Sequence, residues 1–204
     1  MIRYFALLVL STLLLAQNPP NPAPNNSTSP VYTAEGRLVF PANYREWIYL
    51  TTGMDMDYNP DPAMAGHSMF DNVFVNPEAY KVFLATGTWP DGTMIVLEGR
   101  MAASKGSINK AGHFQTNEVM MRSVHLKDPR FPGNWAFFGY DENAPSKQIP
   151  KEAECYSCHE QHAAVDTTFV QFYPTLLDIA KKKGTLSHAY LKEEAARANP
   201  ERKF

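Results

Sequence analysis

The middle of this 204-residue chain consists of short runs rich in apolar residues, separated by segments rich in Gly, Pro, Asn and Asp. Apolar runs of this length that are bounded by turn-forming residues are typical of β-strands. They predict strands at residues 35–40, 48–52, 71–75, 93–102, 116–127 and 134–140. Because consecutive strands are joined by turns such as Trp89-Pro90-Asp91-Gly92, the predicted sheet is an antiparallel meander.

Helical patterns flank this predicted sheet on both sides along the chain. Asn76 and Pro77 suit the start of a helix, since Asn can cap and Pro fits the first turn, and Gly87 suits its end. Apolar side chains recur at helical spacing near the C-terminus, at Phe169, Phe172, Leu176 and Ile179. Asp166 is predicted to cap that second helix. A central meander with flanking helices defines an α+β fold.

Residues 1–16 have the pattern of a secretory signal peptide, with Arg3 followed by an apolar run over residues 5–15. This run is too short to cross a bilayer, which takes about 20 residues. We expect cleavage after Ala16 and export to the periplasm. An uncleaved N-terminal anchor is the alternative.

Composition divides the rest of the chain into three parts. Residues 17–30 are rich in Pro, Asn and Ser and predict a solvated linker. A folded domain is expected over residues 31–185, and a charged tail over residues 186–204. The whole chain has 19 Lys and Arg against 21 Asp and Glu, for a net charge of −2. No basic cluster forms the stripe that binds phosphate backbones, so nucleic acid is not an expected partner.

Both cysteines of the chain lie in one pentapeptide, Cys155-Tyr156-Ser157-Cys158-His159. This is the C-x-x-C-H motif to which c-type haem is attached, with two thiols forming thioether bonds to the vinyl groups of one porphyrin. The histidine that follows reaches the iron as its proximal ligand. We therefore predict one covalent haem c, bound by Cys155 and Cys158, with His159 as the iron ligand. The motif lies close to the predicted C-terminal helices.

Two other interpretations of this motif are open. A redox-active disulfide between the cysteines would need a βαβ context, which the pattern of strands does not offer. A zinc site could be formed by the two cysteines with His159 and His162. Haem attachment is favoured because the histidine directly follows the second cysteine in a chain with an export signal.

Four segments spread over residues 31–180 form a specific combination. They are Tyr44-Arg45-Glu46-Trp47; residues 72–98; Lys127-Asp128 followed by residues 134–138; and residues 155–174. In this order they resemble the cytochrome P460 family, which includes the beta-type cytochromes c-prime. The last segment is the most specific, because the haem motif is followed by Val165-Asp166 and then by FVQFYP.

The resemblance implies a mainly antiparallel sheet with flanking helices, a homodimer, and one haem c with five-coordinate iron. It also implies one of two activities. P460 members proper oxidise hydroxylamine and carry a lysine linked to the porphyrin, whereas c-prime members lack the link and bind nitric oxide or carbon monoxide. The nine methionines leave a third option, an electron carrier with six-coordinate His/Met iron. Either redox role requires an electron-transfer partner.

The lysine of the P460 members is expected on the strand that follows the Trp-Pro-Asp-Gly turn. In this chain no lysine lies between Lys81 and Lys105. Alternation along residues 93–102 gives no lysine an inward position, which favours binding of nitric oxide or a similar small ligand over hydroxylamine oxidation. Lys105 is the candidate for a cross-link if the strand extends further than predicted.

Four residues are predicted to lie on the distal side of the haem. Phe70, Phe74 and Val96 are the predicted haem contacts, and Glu98 is the candidate catalytic residue. In a pocket of low dielectric Glu98 would have a raised pKa and accept a proton from an N–H or O–H substrate. The alternative for Glu98 is an exposed carboxylate paired with Arg100 or a cross-strand partner.

The remaining histidines are expected to have ordinary roles. His162 is interpreted as a solvated neighbour of the motif. The others are expected to be exposed or satisfied within the core, namely His67, His113, His125 and His188. Four methionines of the predicted loop at residues 54–69 are kept as candidate sixth ligands, namely Met54, Met56, Met64 and Met69.

Overall fold

The computed structural model describes residues 27–56 and 68–198. Within these residues, five strands form one antiparallel sheet in the order β1-β2-β3-β4-β5, flanked by four α-helices, which confirms the predicted α+β meander. The strands are β1 (Ile48–Met54), β2 (Met69–Val75), β3 (Met94–Ala103), β4 (Phe114–Lys127) and β5 (Trp135–Tyr140). The helices are α1 (Pro77–Thr86), α2 (Glu154–His162), α3 (Pro174–Lys183) and α4 (His188–Ala198).

The predicted signal peptide and most of the predicted linker lie outside the described residues. In the part of the chain that the structure describes, no helix has the length and apolar character needed to cross a membrane. The predicted C-terminal tail contains α4, whose Tyr190 is buried in the same apolar core as Phe83 of α1 and Leu176 of α3. The bounds predicted for α1 are confirmed, with Pro77 in its first turn and Gly87 in the left-handed conformation at its end. Asn76 occupies the N-cap position without a capping hydrogen bond, and its Oδ1 instead accepts from the Met94 N–H at 2.9 Å.

Two sequence predictions of local structure were wrong. Residues 35–40 do not form a strand: Leu38 makes only isolated bridges with Tyr32 and Ser146. Leu38 is fully buried, and the chain turns just before it at Gly36, whose φ is 74°. Asp166 does not cap a helix, since α3 begins at Pro174. Asp166 instead has a φ of 52° and forms an ion pair with Lys127 at 3.1 Å.

Both faces of the sheet are buried over its central part, where each packs against a separate core, whereas the first part of β4 is largely exposed. One face, which we call the cavity face, carries Val73, Ile95, Leu97, His125 and Phe137 and is covered by the helices. The opposite face, which we call the far face, carries Phe74, Val96, Glu98, Val124 and Phe138 and is covered by the N-terminal segment around Phe40 and Tyr44. The strand register places these residues in two alternating sets.

Candidate haem site

The C-x-x-C-H motif lies on α2, at one wall of a cavity of about 310 Å³. Cys155, Cys158 and His159 are spaced three and four residues apart, so that a helix brings all three to one face. All three line the cavity. Both cysteines are half-buried and neither forms a disulfide. The structure therefore brings the two predicted thioether positions and the predicted iron ligand together.

The ring of His159 is held by a backbone hydrogen bond. Its Nδ1 lies 2.7 Å from the carbonyl oxygen of Thr167. Because a carbonyl oxygen can only accept, Nδ1 carries the proton and Nε2 is left with a free lone pair. Burial lowers the pKa of His159, which favours the neutral ring that a metal needs. The phenyl rings of Phe137 and Phe169 pack against it at 4.7 and 4.2 Å between ring centroids.

A second histidine, His125 on β4, lies beside this ligand. Its ring centroid is 5.0 Å from that of His159, and its ring stacks on Phe137 at 4.0 Å and 10°. Its Nε2 is 3.2 Å from the hydroxyl oxygen of Thr167, the residue whose carbonyl holds His159. Burial, followed by the neighbouring His159 and Lys151, sets the pKa of His125 well below its ordinary value. Sequence reasoning treated His125 as an ordinary histidine, because its place beside α2 depends on contacts distant in sequence.

The remaining walls of the cavity are chiefly apolar. They come from the cavity face of the sheet, from Met56 after β1, and from the segment before α3. The apolar and aromatic wall residues are Met56, Val73, Ile95, Leu97, Phe137, Phe169, Phe172 and Tyr173. A porphyrin is a flat apolar ring that needs such walls, two thiols and one neutral imidazole. The residues present in the cavity fit haem.

One carboxylate lines the cavity among the described residues, that of Asp71 on β2. Its Oδ1 is buried and accepts no hydrogen bond from the described residues. Burial, followed by the negative charge of Asp55, raises the pKa of Asp71 to about 6. The sequence analysis did not select Asp71. Alternation from Val73 would have suggested it, had the cavity face been known.

The four predicted distal residues lie on the far face, and that assignment is corrected here. Val96 is fully buried in the far-face core, and Phe74 packs there against Tyr44 at 5.5 Å between ring centroids. Phe70 and Glu98 share the same side of the sheet, since Phe70 alternates with Phe74 on β2 and Glu98 alternates with Val96 on β3. None of the four lines the cavity. The neighbouring residues of β3, Ile95 and Leu97, do so instead.

Glu98 is fully buried and its carboxylate is saturated with partners. Arg100 donates to Oε1 from Nε at 2.7 Å, and Tyr44 and Arg45 both donate to Oε2. Although burial alone would raise the pKa of Glu98, the donors Arg100 and Tyr44 and the charge of Arg45 bring it below its ordinary value. The predicted raised pKa was therefore wrong, and the predicted pairing with Arg100 is observed at a buried position rather than an exposed one.

Lysine is absent from the described wall of the cavity. Lys105 is exposed and lies two residues beyond the end of β3. No lysine is among the described residues that line the cavity, and the segment at residues 57–67 contains none. On β3 the cavity-facing positions are occupied by Ile95 and Leu97.

The other histidines lie away from the cavity or outside the described residues. His162 pairs with Glu193 on α4, which connects α2 to that helix. His113 and His188 are exposed. His67 and Met64 lie outside the described residues. Of the methionines kept as candidate ligands, Met56 lines the cavity.

Comparison with known proteins agrees with this geometry. A family model described as Cytochrome P460 matches residues 41–170, which include all five strands and the motif on α2. No curated protein matches the chain. The match and the cavity place the chain among the haem-binding cytochromes. It belongs to the cytochrome P460 family, and it binds haem and iron.

Proposed function

We propose that this protein is a mono-haem c-type cytochrome that binds nitric oxide or a similar small neutral ligand at a five-coordinate iron. Haem is attached through Cys155 and Cys158, and His159 is the proximal ligand. The observation that carries the proposal is the convergence of these three side chains on one apolar cavity. The bound haem supplies an iron with an open coordination position, to which a diatomic ligand can bind.

The protein's own residues keep that position open. Thr167 fixes the tautomer and direction of His159 through its carbonyl oxygen. His125 lies beside His159, and its Nε2 is tied to the Thr167 hydroxyl, so this ring nitrogen would not be free to hold the iron. The apolar side chains of Val73, Ile95 and Leu97 exclude water and favour uncharged ligands.

Hydroxylamine oxidation is the second candidate function. Asp71 favours it, because a carboxylate with a pKa of about 6 in the cavity can accept a proton from a bound N–H or O–H group. The absence of lysine from the described cavity wall counts against it, since the linked lysine distinguishes the hydroxylamine-oxidising members. An electron carrier is the third candidate, which Met56 supports as a wall residue with a thioether.

We further propose that the protein is exported to the periplasm and forms a homodimer. The Arg3-led apolar run supports export. Large apolar side chains are exposed on β4, namely Phe114, Met120 and Met121, and they support a protein contact there. If the protein is redox-active, an electron-transfer partner completes the scheme.

Haem attachment is tested by a denaturing gel stained for haem. Thioether bonds survive denaturation, so wild-type protein should keep its haem and have the mass of the polypeptide plus one haem. The variant with both Cys155→Ala and Cys158→Ala should lose all of it. Ser157→Ala, in the same helix turn, is the matched control and should keep it. Haem that extracts freely into acidic organic solvent from the wild type would contradict the proposal.

A further inference from the structure

Asp71 differs from every other described residue that lines the cavity, because it is the only one with a carboxylate. Its cross-strand neighbours are Gly53 on β1 and Gly99 on β3, which place no side chain over it. The space above these glycines is filled by methionine side chains, with Met56 over Gly53 and with Met69 and Met121 over Gly99. The buried Oδ1 therefore lies among weakly polar groups and receives no hydrogen bond from the described residues.

The charged groups around Asp71 do not neutralise it. From the end of β1 it faces a second carboxylate, Asp55, which accepts hydrogen bonds from Ser68 and the Met69 backbone. From β3 it faces Gly99, since Arg100 points to the far face and pairs with Glu98.

The groups that face Asp71 from the other elements carry no positive charge. Ser123 on β4, Cys155 and Cys158 on α2, and Tyr173 are uncharged at neutral pH. Across the cavity, His125 and His159 each place one ring nitrogen against Thr167, and no Lys or Arg is among the described residues that line the cavity. An ionised Asp71 thus gives the described part of the cavity a net negative charge.

We propose that Asp71 is the specificity-determining residue of the cavity, and that its carboxylate rejects anionic ligands while admitting neutral ones. This inference rests on the proposed function, in which the iron has an open position in the same cavity. A fixed negative charge at close range destabilises a bound anion, and the effect is larger where water is excluded. Protonation of Asp71 removes the charge, so the protein should accept anions better in mild acid.

The experiment compares azide, which stays anionic from pH 5.5 to 8, with nitric oxide, which is neutral. Both are titrated into the oxidised, haem-loaded protein and followed by the absorption spectrum. In the wild type the affinity for azide should fall as the pH rises through about 6, the pKa of Asp71. The variant Asp71→Asn should bind azide about tenfold more tightly or better at pH 8, with little pH dependence over this range. Its affinity for nitric oxide should change far less.

Two further variants separate the charge of Asp71 from other carboxylates. Asp55→Asn leaves the Asp71 carboxylate in place but removes a charge that raises its pKa, so the azide transition should move to lower pH. Glu118→Gln removes an exposed carboxylate on β4 and should leave the azide profile within twofold of the wild type. Azide affinity of Asp71→Asn within twofold of the wild type at every pH would overturn the inference. So would an equal gain for nitric oxide, because that would indicate a wider cavity rather than a lost charge.

Failure of the proposed function has a different signature. If neither azide nor nitric oxide changes the spectrum of the wild type or of any variant, the iron has no open position, and this inference fails with it. If both ligands bind to the wild type but Asp71→Asn leaves their ratio unchanged, the open site stands and the role of Asp71 is refuted.

Discussion

The two faces of the sheet each carry a carboxylate, and the two are treated in opposite ways. On the far face Glu98 is fully buried and receives hydrogen bonds from Tyr44, Arg45 and Arg100, which hold its pKa below the ordinary value. On the cavity face Asp71 has a buried oxygen without a described donor, and its pKa is raised to about 6. The sheet is the same, but one carboxylate is saturated and the other is not.

The difference separates a structural acid, Glu98, from the acid that we propose to be functional, Asp71. A saturated buried carboxylate has no lone pairs left for a ligand, and losing it leaves its cationic partners unpaired. An unsatisfied carboxylate in a cavity makes the fold less stable and keeps its capacity for a ligand. The sequence analysis chose Glu98 as the functional acid, and the structure assigns it to the far-face core.

The largest effect on stability is expected at the far face. Glu98→Gln leaves Arg45 and Arg100 without their counter-charge and should reduce the free energy of unfolding by about 3 kcal/mol, with little change in the haem spectrum. Denaturant titration of the haem-loaded protein measures it. Glu118→Gln, which changes an exposed carboxylate, is the control. It should change the free energy of unfolding by less than about 0.5 kcal/mol. A spectral change as large as that from a cavity variant would remove the distinction between the faces.

A smaller effect of opposite sign is expected at the cavity face. The pKa of Asp71 is raised to about 6 in the folded protein, whereas a carboxyl of the unfolded chain has a pKa of about 4. The folded protein therefore binds the proton on Asp71 more tightly than the unfolded chain does. Between these values the wild type should lose stability as the pH rises. The free energy of unfolding of Asp71→Asn, relative to that of the wild type, should therefore increase by about 1 kcal/mol from pH 4 to pH 7.5. The increase is limited because solvent screens a partly exposed group. Unfolding curves of both proteins at pH 4 and pH 7.5 measure this difference in stability. A difference that becomes smaller as the pH rises would contradict the prediction.

Substitution of Lys105 is expected to change neither the haem spectrum nor activity. This lysine is exposed and lies beyond the end of β3, so Lys105→Leu should leave both the absorption spectrum and any hydroxylamine turnover unchanged. Loss of a red-shifted ferrous band together with turnover would make Lys105 the cross-linked lysine and would put hydroxylamine oxidation first.

Local signals in the sequence were sufficient for the elements that depend on local chemistry. Pro77 and Gly87 bound α1 as predicted, and the C-x-x-C-H spacing placed Cys155, Cys158 and His159 together on one face of α2. The choice between the two faces of β3 failed for a physical reason. Met94 and Val96 are buried on one side, and on the other side Ile95 is buried and Leu97 partly buried, so alternation along the strand does not distinguish the cavity face from the far face.

Contacts between segments that are distant along the chain could not be predicted from the local sequence. The approach of His125 to His159 depends on how β4 lies against α2, with Thr167 between them. Nothing within a few residues of His125 signals that arrangement. The loop at residues 35–40 likewise has the apolar content of a strand. Its Leu38 and Phe40 pack in the far-face core, and the loop does not join the sheet.

The absorption spectrum of the haem-loaded protein, reduced and then exposed to carbon monoxide, tests the central claim most directly. A five-coordinate iron bound only by His159 should give a high-spin ferrous spectrum that changes at once on addition of carbon monoxide. Its bands should lie at the positions of an ordinary haem c, because the described cavity wall offers no lysine for a cross-link. A low-spin ferrous spectrum that does not respond to carbon monoxide would contradict the claim and identify a six-coordinate electron carrier.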